Sequence, residues 1–192
     1  MKTVTILRQL PPLFHYADVA KFTGNANVFL TRAQANGLVQ RVRRGIYLNL
    51  LRETRPDIEE IACFLRTPSY ISCEWALNLH GVLLQAPTAC TVLTLDTSVG
   101  ASRNIQFGGV TVEFSRIAPR LFNGFEAREG FNLALPEKAL LDAIYLRRRV
   151  PFADELELDN IEKSRLMSLA QEFPAFVQKR LTFIDAIEHK NP

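Results

Sequence analysis

Residues 27–44 hold a group of arginine, amide and small apolar side chains whose chemistry suits binding to DNA. The candidates are Asn27, Val28, Thr31, Arg32, Arg41, Arg43 and Arg44. Amide and guanidinium groups can reach base edges in a major groove, and a valine or threonine methyl group can contact the methyl group of thymine. Arginines beside the groove contact phosphates or enter the minor groove. The sequence therefore predicts base readout by residues 27–32 and backbone contacts by residues 41–44.

Two helices joined by a corner would present residues 27–32, and small residues indicate where the helices lie. Ala20 is small enough to let two helices approach, and Gly24 supplies a backbone angle at which other residues are strained. Leu30 then packs the second of these helices onto the core. The predicted helices cover residues 4–10, residues 16–22, and residues from 25 or 26 to just before Gly37.

The third predicted helix has one buried and one exposed face. Leu30 and Ala33, at positions i and i+3, face the core, so the side chains at 27, 28, 31 and 32 face outward. Asn25 suits helix capping better than base readout, whereas the two roles are evenly matched for Asn27. Residues 39–47 alternate apolar and polar side chains around a tight turn, which predicts a β-hairpin. Together these elements predict a winged helix-turn-helix domain over residues 1–52.

Charge is distributed unevenly along the 192 residues. Residues 1–52 contain eight basic residues and one acidic residue, a net charge of +7, whereas the rest of the chain carries −4. A cationic module joined to an acidic body indicates a polyanionic partner on one side only. The alternative is a merely solvated basic face. The clustering of Arg41, Arg43 and Arg44 on the predicted hairpin favours DNA binding.

Residues 56–192 are predicted to form a second domain, which follows a polar boundary at Glu53–Pro56. Amphipathic patterns predict helices over residues 57–65, 72–80, 137–148 and, divided at Pro174, 160–188. β-Branched or alternating segments predict strands over residues 90–95, 105–107, 110–114 and 131–135, with a hairpin turn at Gly108-Gly109. We therefore expect an α+β fold with a short sheet and flanking helices.

Four carboxylates in this second domain raise the alternative of a metal-dependent nuclease. They are Asp96, Glu113, Glu137 and Asp142. Such a nuclease needs an acid–x–lysine pattern on a strand, and here Ser115 stands at the lysine position after Glu113. Glu137 lies in a first helical turn, where the helix dipole favours a carboxylate. We expect Asp142 to pair with one of the arginines at 147–148 or with a backbone amide. We predict that the protein is not an enzyme and needs neither a metal nor a cofactor.

Structural roles are expected for the other reactive side chains. The three cysteines, which lack metal-ligand spacing and lie among apolar neighbours, are Cys63, Cys73 and Cys90. We expect them to be buried and reduced. His80 is expected to bond the last carbonyl groups of its own helix, and Arg147–Arg149 to complement a helix dipole. No apolar stretch is long enough to span a membrane and no signal peptide is apparent, so we expect a cytoplasmic protein.

Three segments resemble the AbiEi-type antitoxin family. Gly24 to Tyr47 is similar, without a gap, to the family's N-terminal winged-helix domain, which ends in a basic V-R-R-G-hydrophobic-Tyr hairpin. Residues 71–81 are similar to its S-x-x-x-A-L-x-x-H-G segment, and residues 136–142 to its P-E-[KR]-[AT]-L-L-D segment. The resemblance spans residues 3–187 and is weakest in the tail. One departure is the third helix, which in the family often carries two or more arginines near its end and here carries Arg32.

The resemblance implies a transcriptional autorepressor that is also the antitoxin of a type IV toxin–antitoxin, phage-defence system. Its implied partners are double-stranded DNA, as an inverted repeat in its own promoter, and a nucleotidyltransferase-like toxin. The C-terminal domain would oppose that toxin without forming a stable complex. We expect a monomer or weak dimer that binds DNA cooperatively. The alternative is a winged-helix regulator whose α+β body binds a small ligand and has no toxin partner.

Overall fold

A computed structural model describes residues 2–152 and 155–188. The chain is α+β, as predicted, and it divides into two compact units, Met1–Leu65 and Arg66–Pro192. The division follows Leu65, whereas the sequence placed the boundary at Glu53–Pro56. The difference arises because a helix over Ile58–Phe64 belongs with the first unit, in which the Phe64 ring stacks on His15 with centroids 4.7 Å apart.

The N-terminal unit contains four α-helices and a three-stranded antiparallel sheet in the order β1-β3-β2. The elements are α1 (Lys2–Leu7), β1 (Leu13–His15), α2 (Tyr16–Ala20), α3 (Ala26–Ala35), β2 (Val39–Arg43), β3 (Ile46–Asn49) and α4 (Ile58–Phe64). The predictions of α3 and of the β2–β3 hairpin are confirmed. β1, which pairs with β3 in the core of this unit, was not predicted.

The core of this unit lies between the helices and one face of the sheet. Leu30 and Ala33 are buried, as predicted for the inner face of α3. Phe14 of β1 and Tyr47 of β3 stack with their ring centroids 5.7 Å apart. Val19 of α2 belongs to the same cluster. One apolar cluster therefore orients α3 relative to the hairpin.

The connection between α2 and α3 differs from the prediction. Ala20 is the last residue of α2 and is exposed, so it does not lie where two helices approach. Gly24 has no left-handed backbone conformation, and no heavy atom lies within 4 Å of the position that a Cβ would take. Because α2 ends earlier than predicted, residues 21–25 all connect the helices and none of them needs the strained backbone of a tight corner.

α1 ends at Leu7 and not at Leu10 as predicted. Side chains at and just after the end of β3 donate hydrogen bonds to the carbonyl groups at and after this helix end. Asn49, only 1% exposed, donates from Nδ2 to the carbonyl oxygens of Leu7 at 2.7 Å and Leu10 at 3.2 Å. Arg52 donates to the carbonyl oxygens of Arg8 and Leu10. Carbonyl groups at a helix C-terminus lack partners within the helix. These two side chains therefore fix the start of the chain to the sheet.

The C-terminal unit contains a six-stranded mixed sheet in the order β6-β7-β5-β4-β9-β8. Its strands are β4 (Ser69–Ser72), β5 (Ala89–Thr94), β6 (Ile105–Phe107), β7 (Val110–Arg116), β8 (Phe125–Arg128) and β9 (Phe131–Ala134). Its helices are α5 (Cys73–Leu79), α6 (Pro136–Arg147), α7 (Lys163–Ala170) and α8 (Ala175–Glu188). β5 and β7 are parallel, as are β4 and β9, and the other neighbours are antiparallel.

The helices and strands predicted for this unit are present, and the structure adds two strands. The Gly108-Gly109 turn joins β6 to β7, and both glycines have positive φ, as a two-residue hairpin turn requires. β4 and β8 were not predicted. All three cysteines are buried, which confirms that expectation. Within residues 2–152 and 155–188, no helix is long and apolar enough to cross a membrane.

We expect Asn49→Ala to destabilise the N-terminal unit by about 1–3 kcal/mol, because it removes two buried side-chain hydrogen bonds, to the carbonyl oxygens of Leu7 and Leu10. The measurement is the midpoint of urea unfolding of this unit, monitored through its backbone amide signals in two-dimensional NMR spectra. Asn27→Ala is the matched control, since its exposed side chain bonds no described residue, and it should change stability by less than about 0.5 kcal/mol. Equal midpoints for the two variants would contradict the role given to Asn49.

Candidate nucleic-acid interface

The polar side chains of α3 divide into those with a hydrogen bond inside the protein and those without one. Asn25 caps the helix, because its Oδ1 accepts from the amide of Val28 at 3.2 Å. Gln34 donates to the carbonyl oxygen of Leu30 at 3.2 Å, and Asn36 to that of Arg32 at 2.9 Å. The capping interpretation of Asn25 is therefore confirmed, and these three amides stabilise α3 itself.

The predicted readout residues of α3 share an exposed face. Asn27, Thr31 and Arg32 are exposed, and their side chains bond no residue that the structure describes. Val28 lies on the same face with 41% of its surface exposed. The i, i+4 pairs Asn27/Thr31 and Val28/Arg32 give two adjacent rows along the helix. An amide, a hydroxyl, a guanidinium and a methyl-bearing side chain are thus displayed together.

The hairpin carries the three remaining candidates in two different environments. Arg41 and Arg44 are exposed. Arg43 is half-buried, and its Nη1 is buried without a hydrogen-bond partner among the described residues. Arg43 is therefore less exposed than the other two predicted hairpin contacts. The register of β2 against β3 shifts between Arg41 and Arg43.

The tip of the hairpin is fixed to the start of α2. Gly45 has a φ of +81°, which lets the chain turn directly after Arg44. Its carbonyl oxygen accepts from the backbone amide of Tyr16 at 2.8 Å. The position of the Arg44 backbone relative to the helices is therefore set by a hydrogen bond as well as by the sheet.

Two basic residues of this unit already have partners inside the protein. Arg52 is held by the carbonyl groups after α1. Lys21 pairs with Asp18 at 2.8 Å, and this hydrogen bond, together with one from the backbone amide of His15, lowers the pKa of the Asp18 carboxyl. Arg8, Arg32, Arg41 and Arg44 are exposed, and their side chains bond no residue that the structure describes.

The four candidate carboxylates of the C-terminal unit have separate partners. Asp96 pairs with Arg66, and Glu113 pairs with Arg147 at 3.0 Å. Glu137 accepts from the amide of Glu162 at 2.7 Å and contacts a neighbouring arginine. Within the described ranges, no group of three histidine, cysteine, aspartate or glutamate residues is placed to hold a metal ion.

Asp142 belongs to a fully buried polar network, which corrects the predicted pairing with Arg147 or Arg148. It pairs with Lys138, one turn earlier on α6, and neither side chain has exposed surface. Tyr70 and Ser72 of β4 donate their hydroxyls to Asp142 Oδ2 at 3.0 and 2.8 Å. Burial lowers the pKa of Lys138 and raises the pKa of Asp142. The i, i+4 spacing of these two residues was available in the sequence and would have indicated the pair.

His80 and the arginines at the end of α6 also contact partners that the sequence did not indicate. The His80 Nε2 atom lies 2.8 Å from the carbonyl oxygen of Ala134 on β9, instead of bonding its own helix. Arg148 lies over the ring of Phe176, with its guanidinium carbon 4.1 Å from the centroid. These contacts hold helices and strands together, so they are structural in effect.

Comparison with known proteins extends the description of the fold. No protein-family model and no curated protein matches this chain. Among solved structures, the RV2827C protein from Mycobacterium tuberculosis is similar, with a TM-score of 0.62 and 14% sequence identity. The match covers 94% of this chain and 73% of that chain. At this level of identity the likeness concerns the fold alone.

We expect Lys138→Met to destabilise the C-terminal unit by about 3–5 kcal/mol, because it leaves the Asp142 carboxylate buried without a countercharge. Urea unfolding followed by the fluorescence of Trp75 measures this cost. The matched control is Arg128→Met, which breaks an exposed arginine–glutamate pair in the same unit and should cost less than about 1 kcal/mol. The double variant Lys138→Met/Asp142→Leu should recover part of the loss. A cost for Lys138→Met no larger than that of the control would contradict the assignment.

Proposed function

We propose that the N-terminal unit is a winged helix-turn-helix module and that the protein is a DNA-binding transcriptional autorepressor. One observation carries this proposal. On α3, the polar side chains that stabilise the helix are distinct from Asn27, Thr31 and Arg32, which face solvent and bond no described residue. Side chains of these types are the ones that read base edges in the major groove. We assign α3 as the recognition helix.

The hairpin and the charge distribution support the same proposal. Arg41 and Arg44 are exposed on the hairpin, where they suit contacts to phosphates or to the minor groove. Arg43 lies on the same hairpin but is half-buried, so it is less available for such contacts than Arg41 and Arg44. A module of this size meets one half-site. Tight binding to an inverted repeat therefore requires two copies, as a weak dimer or by cooperative loading.

The antitoxin part of the proposal rests on the resemblance to the AbiEi-type family. We propose that the C-terminal unit opposes a nucleotidyltransferase-like toxin without a stable complex. The segments that carry the resemblance contribute mainly to the core, since Ser72, Lys138 and Asp142 form one buried network. These buried residues therefore account for part of the core of this unit.

A second candidate function is that of a ligand-responsive regulator with no toxin partner. A cavity of about 320 Å³ in the C-terminal unit favours it. Cavities of this size accept small molecules. The two candidates share the DNA-binding module and differ in what the C-terminal unit recognises.

Substitution of the α3 residues should reduce sequence-specific binding. We expect Arg32→Ala and Asn27→Ala each to weaken binding to the inverted repeat upstream of the gene by about 1–3 kcal/mol, and binding to random DNA by less. Fluorescence anisotropy with labelled duplexes measures both affinities.

The comparison variants for this prediction are Arg44→Ala and Arg103→Ala. Arg44→Ala should weaken binding to both duplexes and reduce the slope of log K against log salt by about 0.9, as loss of one phosphate contact requires. Arg103→Ala removes the same charge from an exposed position in the C-terminal unit and should change neither affinity. Absence of binding to any duplex at low salt would exclude the proposed function.

Loss of DNA binding should leave the antitoxin function intact. We expect the Arg32→Ala/Arg44→Ala variant to protect cells from a nucleotidyltransferase-like toxin of the same operon as well as the unmodified protein does, because it alters only the DNA-binding surface. Growth of cells that co-express the two proteins is the measurement. Full toxicity, with the variant folded and present at normal levels, would exclude the antitoxin and favour the ligand-responsive regulator.

A further inference from the structure

A cavity in the C-terminal unit combines a charged end with an apolar wall. It has a volume of about 320 Å³ and lies beside the end of α6 and the segment that connects α5 to β5. Its charged lining residues are Glu74, Arg147 and Arg149. Its apolar wall includes Leu83, Ala86, Pro87 and Phe152. This size and this mixture of surfaces are typical of sites for small organic molecules.

Arg147 is held in a fixed orientation at this cavity. Its Nε and Nη2 donate to the two carboxylate oxygens of Glu74 at 3.2 and 3.4 Å. Nη2 also donates to Thr91 at 3.2 Å and to Glu113 at 3.0 Å. Burial by itself lowers the pKa of Arg147, but the bonds from Glu74 and Glu113 outweigh it and raise that pKa. Nη1 bonds no described residue, so a preoriented donor remains at the cavity.

Arg149 supplies a second, less constrained cation. It is exposed and forms no ion pair with the residues that the structure describes. Arg147 is shared between the carboxylates of Glu74 and Glu113, so Arg149 is the lining cation that has no countercharge among the described residues. Phe152 adds an aromatic surface with 43% of its area exposed. A ligand with one negative charge and an apolar body matches these groups in both charge and polarity.

We propose that this cavity binds a small aromatic or aliphatic monocarboxylate, a function separate from DNA binding by the N-terminal unit. The carboxylate accepts from Arg147 Nη1 and pairs with Arg149. The apolar body lies against Pro87 and Phe152. A phosphate monoester suits the site less well, because it carries close to two negative charges at pH 7 and Arg149 is the one lining cation without a countercharge among the described residues.

The test uses the full chain with benzoate as the probe and benzamide as its uncharged counterpart, at constant ionic strength. Two-dimensional NMR spectra follow the backbone amides during each titration. With benzoate we expect saturable chemical-shift changes that are largest at Leu83, Ala86 and Arg149. The dissociation constant of benzamide should be at least tenfold higher than that of benzoate, on the order of one lost charge-assisted hydrogen bond. Phenyl phosphate, titrated in parallel, should bind more weakly than benzoate.

Two variants with the same loss of charge locate the site. Arg149→Gln should raise the dissociation constant of benzoate at least about tenfold. Arg120→Gln removes an exposed arginine that does not line the cavity and should leave it unchanged. The proposal is overturned by the absence of saturable shifts, by equal affinity for benzoate and benzamide, or by equal affinity of the two variants. Tighter binding of phenyl phosphate than of benzoate would indicate a phosphate ligand, and this result would also overturn the proposal of a carboxylate.

Discussion

A pair of opposite charges with no exposed surface constrains the C-terminal unit more than any other interaction. Lys138 and Asp142 lie one turn apart on α6, and hydroxyl groups of Tyr70 and Ser72 complete the hydrogen bonds of Asp142. Because an unpaired buried charge costs several kcal/mol, α6 must lie against β4 in the position that brings these four side chains together. β4 pairs with β5 on one side and β9 on the other. The network therefore sets the placement of α6 relative to the middle of the sheet.

In the N-terminal unit, some polar side chains form hydrogen bonds inside the protein and others face solvent. Asn49 and Arg52 hold the chain after α1, and Asn25 caps α3, so these polar side chains contribute to stability. Asn27 and Arg32 have no such bond within the described residues. The side chains that stabilise this segment are thus distinct from those that we propose contact DNA.

Arginine serves different purposes in the two units. On the hairpin, Arg41 and Arg44 face solvent, whereas Arg147 lies between the carboxylates of Glu74 and Glu113 and joins α6 to α5 and β7. Net charge alone does not distinguish these situations, because each arginine contributes equally to it. Within the basic run at the end of α6, this pairing sets Arg147 apart from Arg149, which is exposed. It also leaves one oriented donor of Arg147 at a cavity.

The sequence by itself determined the elements whose causes are local. The Asn25 cap, the core face of α3, the Gly-Gly turn and the proline at the start of α6 act over a few residues, so their helices and hairpins were predicted correctly. β8 was missed although Phe125–Arg128 alternates and forms a local hairpin with β9. β4 has four residues, all buried, so no alternation marks it, and it exists through pairing with the distant strands β5 and β9. The Tyr70 and Ser72 partners of Asp142 lie about 70 residues away, and Arg43 is half-buried where the register of β2 against β3 shifts. Only the tertiary structure decided these features, because hydrogen bonds and burial depend on distance in space and not on spacing along the chain.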